Sequence, residues 1–259
     1  MHCSTPLFAT ASCDHVNMIR MRKEVLAGFF SFTEVTDPKE HFAYNEWHQL
    51  DHLPEQIPLE GIVFGQRWVR SPECRMAQLG AADLLDPVHY MTLYLMTGPI
   101  LETLEDFKDL GRELREVGRF HEHRNARLSG PFETVDSRAA PRVLVSPDAI
   151  PYRPNLGVYV IVERTSSREP FPAVDNVLSV PGVAGVWTFV GSDALAGERW
   201  SPGPHRVSVA YLDDEPCKTA ESLNPVVEQG LKAGAPSELE LAGPFETITP
   251  WKWDWFERP

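Results

Sequence analysis

Two histidines, three acidic residues, a tyrosine and a tryptophan lie within residues 44–55, which read YNEWHQLDHLPE. His48 and His52 are four residues apart, so on a helix they share one face. Asp51 is three residues from His48, and Tyr44 lies one turn before it. A histidine titrates near neutral pH and can take a proton from carbon or oxygen and return it. The cluster predicts general acid–base chemistry with His48 as the base and Asp51 orienting it. His52 or Tyr44 would assist.

The same residues could instead bind a metal. Histidines at positions i and i+4 can chelate Zn, Fe, Co or Mn, and Asp51, Glu55 or His89 would complete the shell. The residue after the first histidine is glutamine, so the glutamate base of HExxH metalloproteases is missing. We take a site without cofactor as the leading hypothesis. A divalent metal on His48 and His52 is the alternative, and a haem is a weaker one.

Composition narrows the class of protein. The chain has 259 residues, a net charge of -13 and 42% hydrophobic residues, as expected for a globular protein with a substantial core. The acidic balance argues against nucleic acid as a partner. No apolar run approaches the roughly 18–20 residues that a membrane-spanning helix needs. No nucleotide-binding glycine motif is present. The expected partner is a small-molecule substrate, and a homodimer is a further expectation.

The ends of the chain and the cysteines bear on location. Residues 1–24 have no basic leader followed by an apolar core, so they predict a flexible extension rather than a secretory signal, with Met18 or Met21 as the effective start. The four cysteines form no CxxC pair, which indicates reduced thiols and a cytoplasmic protein. Residues 251–259 are rich in tryptophan, and we expect Trp251, Trp253 and Trp255 to lie on one side of an extended tail and to be buried, either within the chain or across a dimer.

An internal repeat organises the chain. The segment GPFET occurs twice, 113 residues apart, and three further segment pairs precede it in the same order. The offset between copies shrinks from 129 to 113, as successive deletions in the second copy would produce. The matched pairs are 28–32 with 157–161, 60–64 with 181–185, 89–95 with 205–211, and 130–134 with 243–247.

Each copy predicts the element order β-α-β-β-α-β, which is the ferredoxin-like motif. In the first copy the elements are a strand at 27–35, a helix at 38–53, strands at 62–69 and 89–96, a helix at 100–120, and a short strand ending in GPFET. In the second copy they are strands at 157–164, 183–190 and 206–212, a helix at 218–232, and the final GPFET strand. The predicted fold is α+β, with two tandem ferredoxin-like units whose antiparallel sheets pair into an α+β barrel. The units are residues 25–136 and 155–250, joined by a proline-rich linker at 137–154.

The first copy resembles the EthD-like members of the dimeric α+β-barrel superfamily. The matching residues are Trp47, His48, Asp51, His52, Pro54, Glu55, the Gly61 turn and residues 66–69. Those relatives usually pair two single-unit chains into a barrel, so the resemblance implies that this chain builds one barrel from its two copies. The superfamily hosts cofactor-free monooxygenases, isomerases, cyclases, dehydratases and haem enzymes, so it indicates fold more securely than reaction.

The second copy lacks the histidines. Counting back from Gly182 places Glu169, Pro172 and Ala173 opposite the first copy's His48, Asp51 and His52. We therefore expect one active unit and one scaffolding unit, acting on a hydrophobic carbonyl, aromatic or polyketide-like metabolite as a lyase, dehydratase or isomerase. A non-catalytic binder of such a metabolite is the rival. The residues expected to contact the substrate are Trp47, Trp68, His89, Phe30, Phe32 and Tyr94.

Overall fold

A computed structural model describes residues 24–198 and 200–256. The strands are β1 (Val25–Val35), β2 (Ile62–Val69), β3 (Gly80–Ala81), β4 (Tyr90–Thr97), β5 (Arg124–Ala139), β6 (Gly157–Arg164), β7 (Val183–Gly191), β8 (His205–Leu212) and β9 (Glu238–Thr247). The α-helices are α1 (His41–Trp47), α2 (Leu53–Gln56), α3 (Pro72–Ala77), α4 (Ile100–Glu116), α5 (Val174–Leu178), α6 (Asp193–Ala196) and α7 (Pro216–Ala233). A π-helical turn, His48–His52, joins α1 to α2, and short 3-10 helices lie at Pro38–Glu40 and Pro147–Tyr152. None of the helices in these ranges is long and apolar enough to cross a membrane.

Eight strands close into an antiparallel barrel. Their order is β2-β4-β1-β5-β7-β8-β6-β9, and β9 returns to pair with β2, while the two-residue β3 is added outside β9. The two seams between the halves differ in length. Strand β5 pairs with β7 over seven residue pairs, whereas β2 and β9 share only Trp68↔Thr247 and Val69↔Glu246. The chain is therefore a mixed α+β protein built around a closed barrel.

The two halves have the same strand order. Each half contributes four barrel strands. If these are numbered in chain order, their order in the sheet is second, third, first and fourth, which gives β2-β4-β1-β5 in the first half and β7-β8-β6-β9 in the second. Phe30 pairs with Gly130, the first residue of GPFET, and Val160 pairs with Gly243, the first residue of the second GPFET. The first strands thus align with Phe30 opposite Val160, one residue away from the alignment that the sequence predicts.

Side chains alternate between the inside and the outside of the barrel wall. Phe30 and Phe32 of β1 point inwards and join Trp68 and Trp187 in the barrel core. Phe29 points outwards and packs on Phe107 of α4, with ring centroids 4.7 Å apart. The helices lie outside the barrel, so a second layer forms between the sheet and the helices in each half. The candidate site lies in this outer layer.

Sequence-based boundaries differ from the structure at the first helix and at the fourth strand. The first helix continues past Leu53 to Gln56, because the π-helical turn places Pro54 in the first turn of α2, where a proline's missing N–H disrupts no hydrogen bond. The fourth strand of the first half is not short: β5 is 16 residues long and extends into the range predicted as linker. The prediction for residues 1–23 lies outside the described residues.

The C-terminal segment is only partly buried. Trp253 is 2% exposed, but Trp251 is 71% exposed, so the chain by itself does not bury all three tryptophans, and burial across a dimer stays a prediction. Trp251 has a φ of +67°, which turns its side chain out of the alternation that an extended arm would have. Phe256 stacks on His41 with ring centroids 3.9 Å apart. The segment therefore covers the outer layer near His41.

Candidate active site

A π-helical turn positions the two histidines. The backbone N–H of Leu53 donates to the carbonyl oxygen of His48, five residues earlier, instead of to the carbonyl four residues earlier. Single π turns inside α-helices are rare and occur frequently at functional sites. Both imidazoles point towards the barrel wall: His48 is 3% exposed and His52 is 6% exposed. The rings meet edge to face, with centroids 5.1 Å apart.

The histidines lie at the edge of a cavity of about 410 Å³ between the barrel wall and α4. Its floor consists of outward-facing residues of β1, β4 and β5, since Phe29, Ser31, Thr92 and Tyr94 all have the parity of the outer face. The other lining residues are His48, His52, Gln56, Phe107, Lys108, Gly111, Arg115, Phe120, Arg124, Ala126, Arg127, Leu128, Ser129, Trp200 and Ser201.

The cavity is cationic in an acidic protein. Four cationic side chains line it and no carboxylate does, although the chain carries a net charge of -13. Among the described residues, no carboxylate lies within ion-pair distance of Arg124, and its guanidinium lies 4.5 Å from the ring centroid of Phe120. Burial lowers the pKa of Arg124, but an arginine stays charged in a protein. An anionic group in this cavity would therefore meet unpaired positive charge beside aromatic rings.

His48 has one ring nitrogen near a hydroxyl and one without a partner. Its Nε2 lies 3.5 Å from Oγ1 of Thr92, and its Nδ1 is buried with no hydrogen-bond partner among the described residues. Burial lowers the pKa of His48 well below its usual value, and the cations Arg67 and Arg124 and the neighbouring His52 lower it further. His48 is therefore a neutral base at physiological pH.

His52 is held by a fixed set of contacts. The side-chain amide of Gln56 donates to Nε2 of His52 at 3.0 Å, which leaves the proton of the neutral ring on Nδ1. The ring stacks on the indole of Trp47, with centroids 4.5 Å and planes 23° apart. Burial, followed by the nearby arginines, lowers the pKa of His52 to about 3.

Asp51 does not pair with either histidine. Its carboxylate accepts hydrogen bonds of 3.1 and 2.7 Å from Arg119 at the surface, and Glu55 accepts a further bond from the same guanidinium. The predicted carboxylate–imidazole pair is therefore not formed, because Asp51 lies on the outer side of the π-helical turn.

Tyr44 supports His48 from behind rather than facing the cavity. Its ring is fully buried and meets the His48 ring at 65°, with centroids 5.7 Å apart. The buried guanidinium of Arg67 lies 5.3 Å from the Tyr44 ring centroid and donates to Oδ1 of Asn45. The sequence analysis missed Arg67, although a lone arginine inside an apolar strand was the available signal.

Of the six residues expected to contact the substrate, only Tyr94 lines the cavity. Trp47 does not line the cavity, but it stacks on His52, which does. Phe30, Phe32 and Trp68 do not line this cavity because they point into the barrel core on the opposite face of the wall.

His89 also lies outside the cavity lining. Its Nδ1 accepts the backbone N–H of Val35, and its ring packs edge-on against His41. The sequence analysis missed Thr92, Arg115 and Arg124. Thr92 could have been found from strand parity, since it lies two positions before Tyr94.

Within residues 24–198 and 200–256, no acidic, histidine or cysteine side chain completes a three-ligand group with the histidine pair. Within the described ranges, one group of three such ligand atoms lies within 4.8 Å of one another, and it consists of Cys74, Cys217 and Glu246. Water or substrate would have to complete a shell on His48 and His52. The metal alternative at the histidines stays a prediction.

No protein-family model and no curated protein matches the chain. Similar solved structures include a protein provisionally named a monooxygenase from Fusobacterium nucleatum subsp. nucleatum, with 8% identity and a TM-score of 0.44, over 87% of this chain and 94% of that one. Another, named in the same way, comes from Lactobacillus acidophilus, with 8% identity and a TM-score of 0.40, over 87% of this chain and 100% of that one. Similarity at this level assigns no activity to the chain.

Proposed function

We propose that the chain is an EthD-like member of the dimeric α+β-barrel superfamily, in which two tandem ferredoxin-like units form the whole barrel. The identical strand order of the halves and the equivalent pairing of the two GPFET segments support this proposal. So does the turn before the second strand of each half, where Gly61 and Gly182 have φ values of +86° and +90°.

We further propose that the first half is a small-molecule enzyme that moves a proton next to a carbonyl group, as a lyase, dehydratase or isomerase does. The observation that carries this proposal is the cavity in which two buried neutral histidines face unpaired cationic charge. The substrate would combine an aromatic or other apolar body with an anionic group, because the lining combines aromatic rings with four cations and no carboxylate.

His48 would act as the general base. Being neutral, it can accept a proton from the carbon next to the substrate carbonyl and later return it to carbon or to a leaving oxygen. The enolate formed in between carries negative charge, which Arg124 stabilises. That same charge would raise the pKa of His48 in the complex, which offsets the lowering by burial and cations. His52 and Trp47 would hold the base in place.

Hydrogen–deuterium exchange tests this proposal without knowledge of the natural substrate. A panel of aromatic β-keto acids and hydroxyaryl ketones is incubated with the protein in deuterated buffer, and mass spectrometry follows deuterium incorporation next to the carbonyl. We expect the wild type to accelerate exchange in at least one class of compound. His48→Gln should lose at least about 100-fold of that rate, the usual contribution of a positioned base.

His89→Gln serves as the matched control, because His89 is a half-buried histidine of the same half that does not line the cavity. It should exchange at the wild-type rate. Equal rates for His48→Gln and the wild type would disprove the role of His48. Tight binding of a compound with no exchange would instead favour the non-catalytic binder.

A further inference from the structure

A cluster on the other side of the barrel brings two cysteines and a glutamate together. Cys74 belongs to α3 and Cys217 to α7, 143 positions later, yet their Sγ atoms lie 3.6 Å apart. Sγ of Cys74 also lies 3.4 Å from Oε1 of Glu246, the penultimate residue of β9. Cys74 is fully buried, and the other two residues are half-buried. From this geometry we propose that Cys74, Cys217 and Glu246 bind a thiophilic divalent cation of the Zn²⁺ class.

The distances suit such a cation. In a tetrahedral site with Zn–S bonds of about 2.3 Å, two thiolate sulfurs lie roughly 3.7 Å apart, close to the separation observed here. The third side of the triangle of ligand atoms is at most 4.8 Å. In a tetrahedral site with Zn–O bonds of about 2.1 Å, a sulfur and a carboxylate oxygen lie roughly 3.6 Å apart. The two separations that involve Cys74 already have about this length, and only the half-buried Cys217 and Glu246 side chains would have to approach each other, by up to about 1.2 Å.

A neighbouring side chain orients the carboxylate. Ser71 caps α3 by accepting the backbone N–H of Cys74, and its hydroxyl donates to Oε1 of Glu246 at 2.5 Å. Ligands of protein-bound metals are commonly fixed by such outer hydrogen bonds, which hold them in position before the metal arrives. One serine thus fixes both the start of the helix that carries Cys74 and the carboxylate of Glu246.

The site is open on one side. Cys217 lines a groove of about 490 Å³ between α3 and α7, and this groove also exposes Glu73, Glu215 and Glu221. The acidic rim attracts cations, and the groove gives them a path to the sulfurs. Water or an external ligand would take the fourth coordination position, which faces the groove.

The location suggests what the cation does. Cys74 comes from the first half of the chain, whereas Cys217 and Glu246 come from the second. Glu246 pairs with Val69 at the β2–β9 seam, which has only two residue pairs. A cation held by both halves would reinforce the shorter of the two seams that close the barrel, so its effect would be on stability.

A disulfide is the competing use of the two thiols. The sulfurs would have to approach from 3.6 Å to about 2.05 Å and give up two electrons and two protons to an oxidant. A disulfide would also leave the Glu246 carboxylate without a role, although Ser71 orients it towards Cys74. The carboxylate therefore favours the cation.

The test uses the full chain with Cys3→Ser and Cys13→Ser, which removes the two remaining thiols. Protein stripped with chelator and reductant is titrated with Zn²⁺ by calorimetry, and native mass spectrometry gives the stoichiometry. We expect one equivalent of Zn²⁺ and a higher Tm with the metal. Cys217→Ser and Glu246→Gln should weaken binding by at least about 10-fold and remove the Tm rise. Both residues are half-buried, and if one variant fails to fold, the other still tests the site.

The double variant His48→Gln/His52→Gln is the control, and it should keep the full equivalent because its histidines line the separate cavity. If Cys217→Ser kept zinc and the histidine variant lost it, zinc would bind at the histidines, and the inference would be overturned. Absence of binding to the reduced parent protein would also overturn it. So would purified protein that holds a Cys74–Cys217 disulfide and takes up no zinc after reduction. Zinc at the histidines would also support the metal alternative for the cavity, whereas the other outcomes do not bear on proton transfer there.

Discussion

The ring of His48 meets the ring of His52 at 84°, with centroids 5.1 Å apart, and neither imidazole has a carboxylate partner among the described residues. Burial lowers the pKa values of both rings, and the arginine side chains around the pair lower them further. Such an arrangement keeps the histidines neutral until an anion arrives.

Substitution of two glycines, one in α4 of the first half and one in α7 of the second, should change the stability of the protein in opposite directions. A Cβ on Gly111 of α4 would meet no atom within 4 Å, because it would project into the cavity. A Cβ on Gly230 of α7 would lie 2.6 Å from Cζ of Phe171 and 2.7 Å from Cβ of Ala173. Gly111→Ala should therefore stabilise the protein by up to about 1 kcal/mol, whereas Gly230→Ala should destabilise it by roughly 1–3 kcal/mol. Urea unfolding measures both.

The same glycine offers a test of the cavity. Gly111→Leu should fill part of the space and reduce ligand binding while the free energy of unfolding stays near that of the wild type. Unaltered binding of the best exchange substrate to a folded Gly111→Leu variant would show that the ligand does not use this cavity.

Arg124 should control both anion binding and the titration of the histidines. Arg124→Met keeps an unbranched apolar stem against Phe120 but removes the charge. Affinity for carboxylate-bearing compounds should fall by about 10-fold or more, which corresponds to a charged hydrogen bond of 1.5–3 kcal/mol. The pKa of His52, now about 3, should rise because Arg124 is the largest contributor after burial. NMR titration of the imidazole signals measures this.

Asp51→Asn is the counterpart of that variant. Because Asp51 binds Arg119 at the surface, its loss should change stability by less than about 1 kcal/mol and leave ligand affinity at the wild-type value. A large loss of ligand affinity in Asp51→Asn would instead support the carboxylate–imidazole pair that the sequence predicted.

Buried neutral histidines should make the protein acid-sensitive. The pKa is lowered to about 4 for His41, to about 3 for His52 and His89, and well below 6.5 for His48. Above pH 6.5 these rings are neutral in both states and contribute no pH dependence. Below pH 6.5 the unfolded chain binds protons that the folded chain does not, so stability falls by about 1.4 kcal/mol per pH unit per histidine. This decline in stability ends only where the pH reaches the pKa values of the histidines in the folded protein.

Denaturant unfolding between pH 7.5 and pH 4.5 measures that slope. The variant His48→Gln/His52→Gln should lower this slope by the equivalent of about two protons. An identical slope in the double variant and the wild type would contradict burial of the two imidazoles in their neutral form.

Local patterns in the sequence identified most of the strands. The bounds predicted for β2 and β6 agree with the structure, because both segments are rich in the β-branched and aromatic residues that strands favour. The histidine helix was also found from its spacing. The sequence did not show which face of β1 lines the cavity. Phe29 and Phe30 are equally apolar, and only the packing of the helices distinguishes the outer face of the strand from the barrel core.

Contacts that depend on the closed barrel could not be read from the sequence. Asp51 was expected beside His48 from helical spacing, but a π-helical turn changes that spacing and Arg119 lies 68 positions away. The pair Cys74 and Cys217 is likewise formed by strands and helices that meet only after both halves have folded. Such groupings have no local signal.

The pairing of β2 with β9 also has a kinetic consequence. Its two strands come from different halves of the chain, and the paired residues Trp68 and Thr247 are 179 positions apart, whereas the paired residues of β2 and β4 are about 30 positions apart. Closing a loop of this length carries the largest entropy cost in the barrel, so the two sheets should form first and the barrel should close last. Until that step, β2 and β9 are open sheet edges, and self-association during refolding should concentrate there.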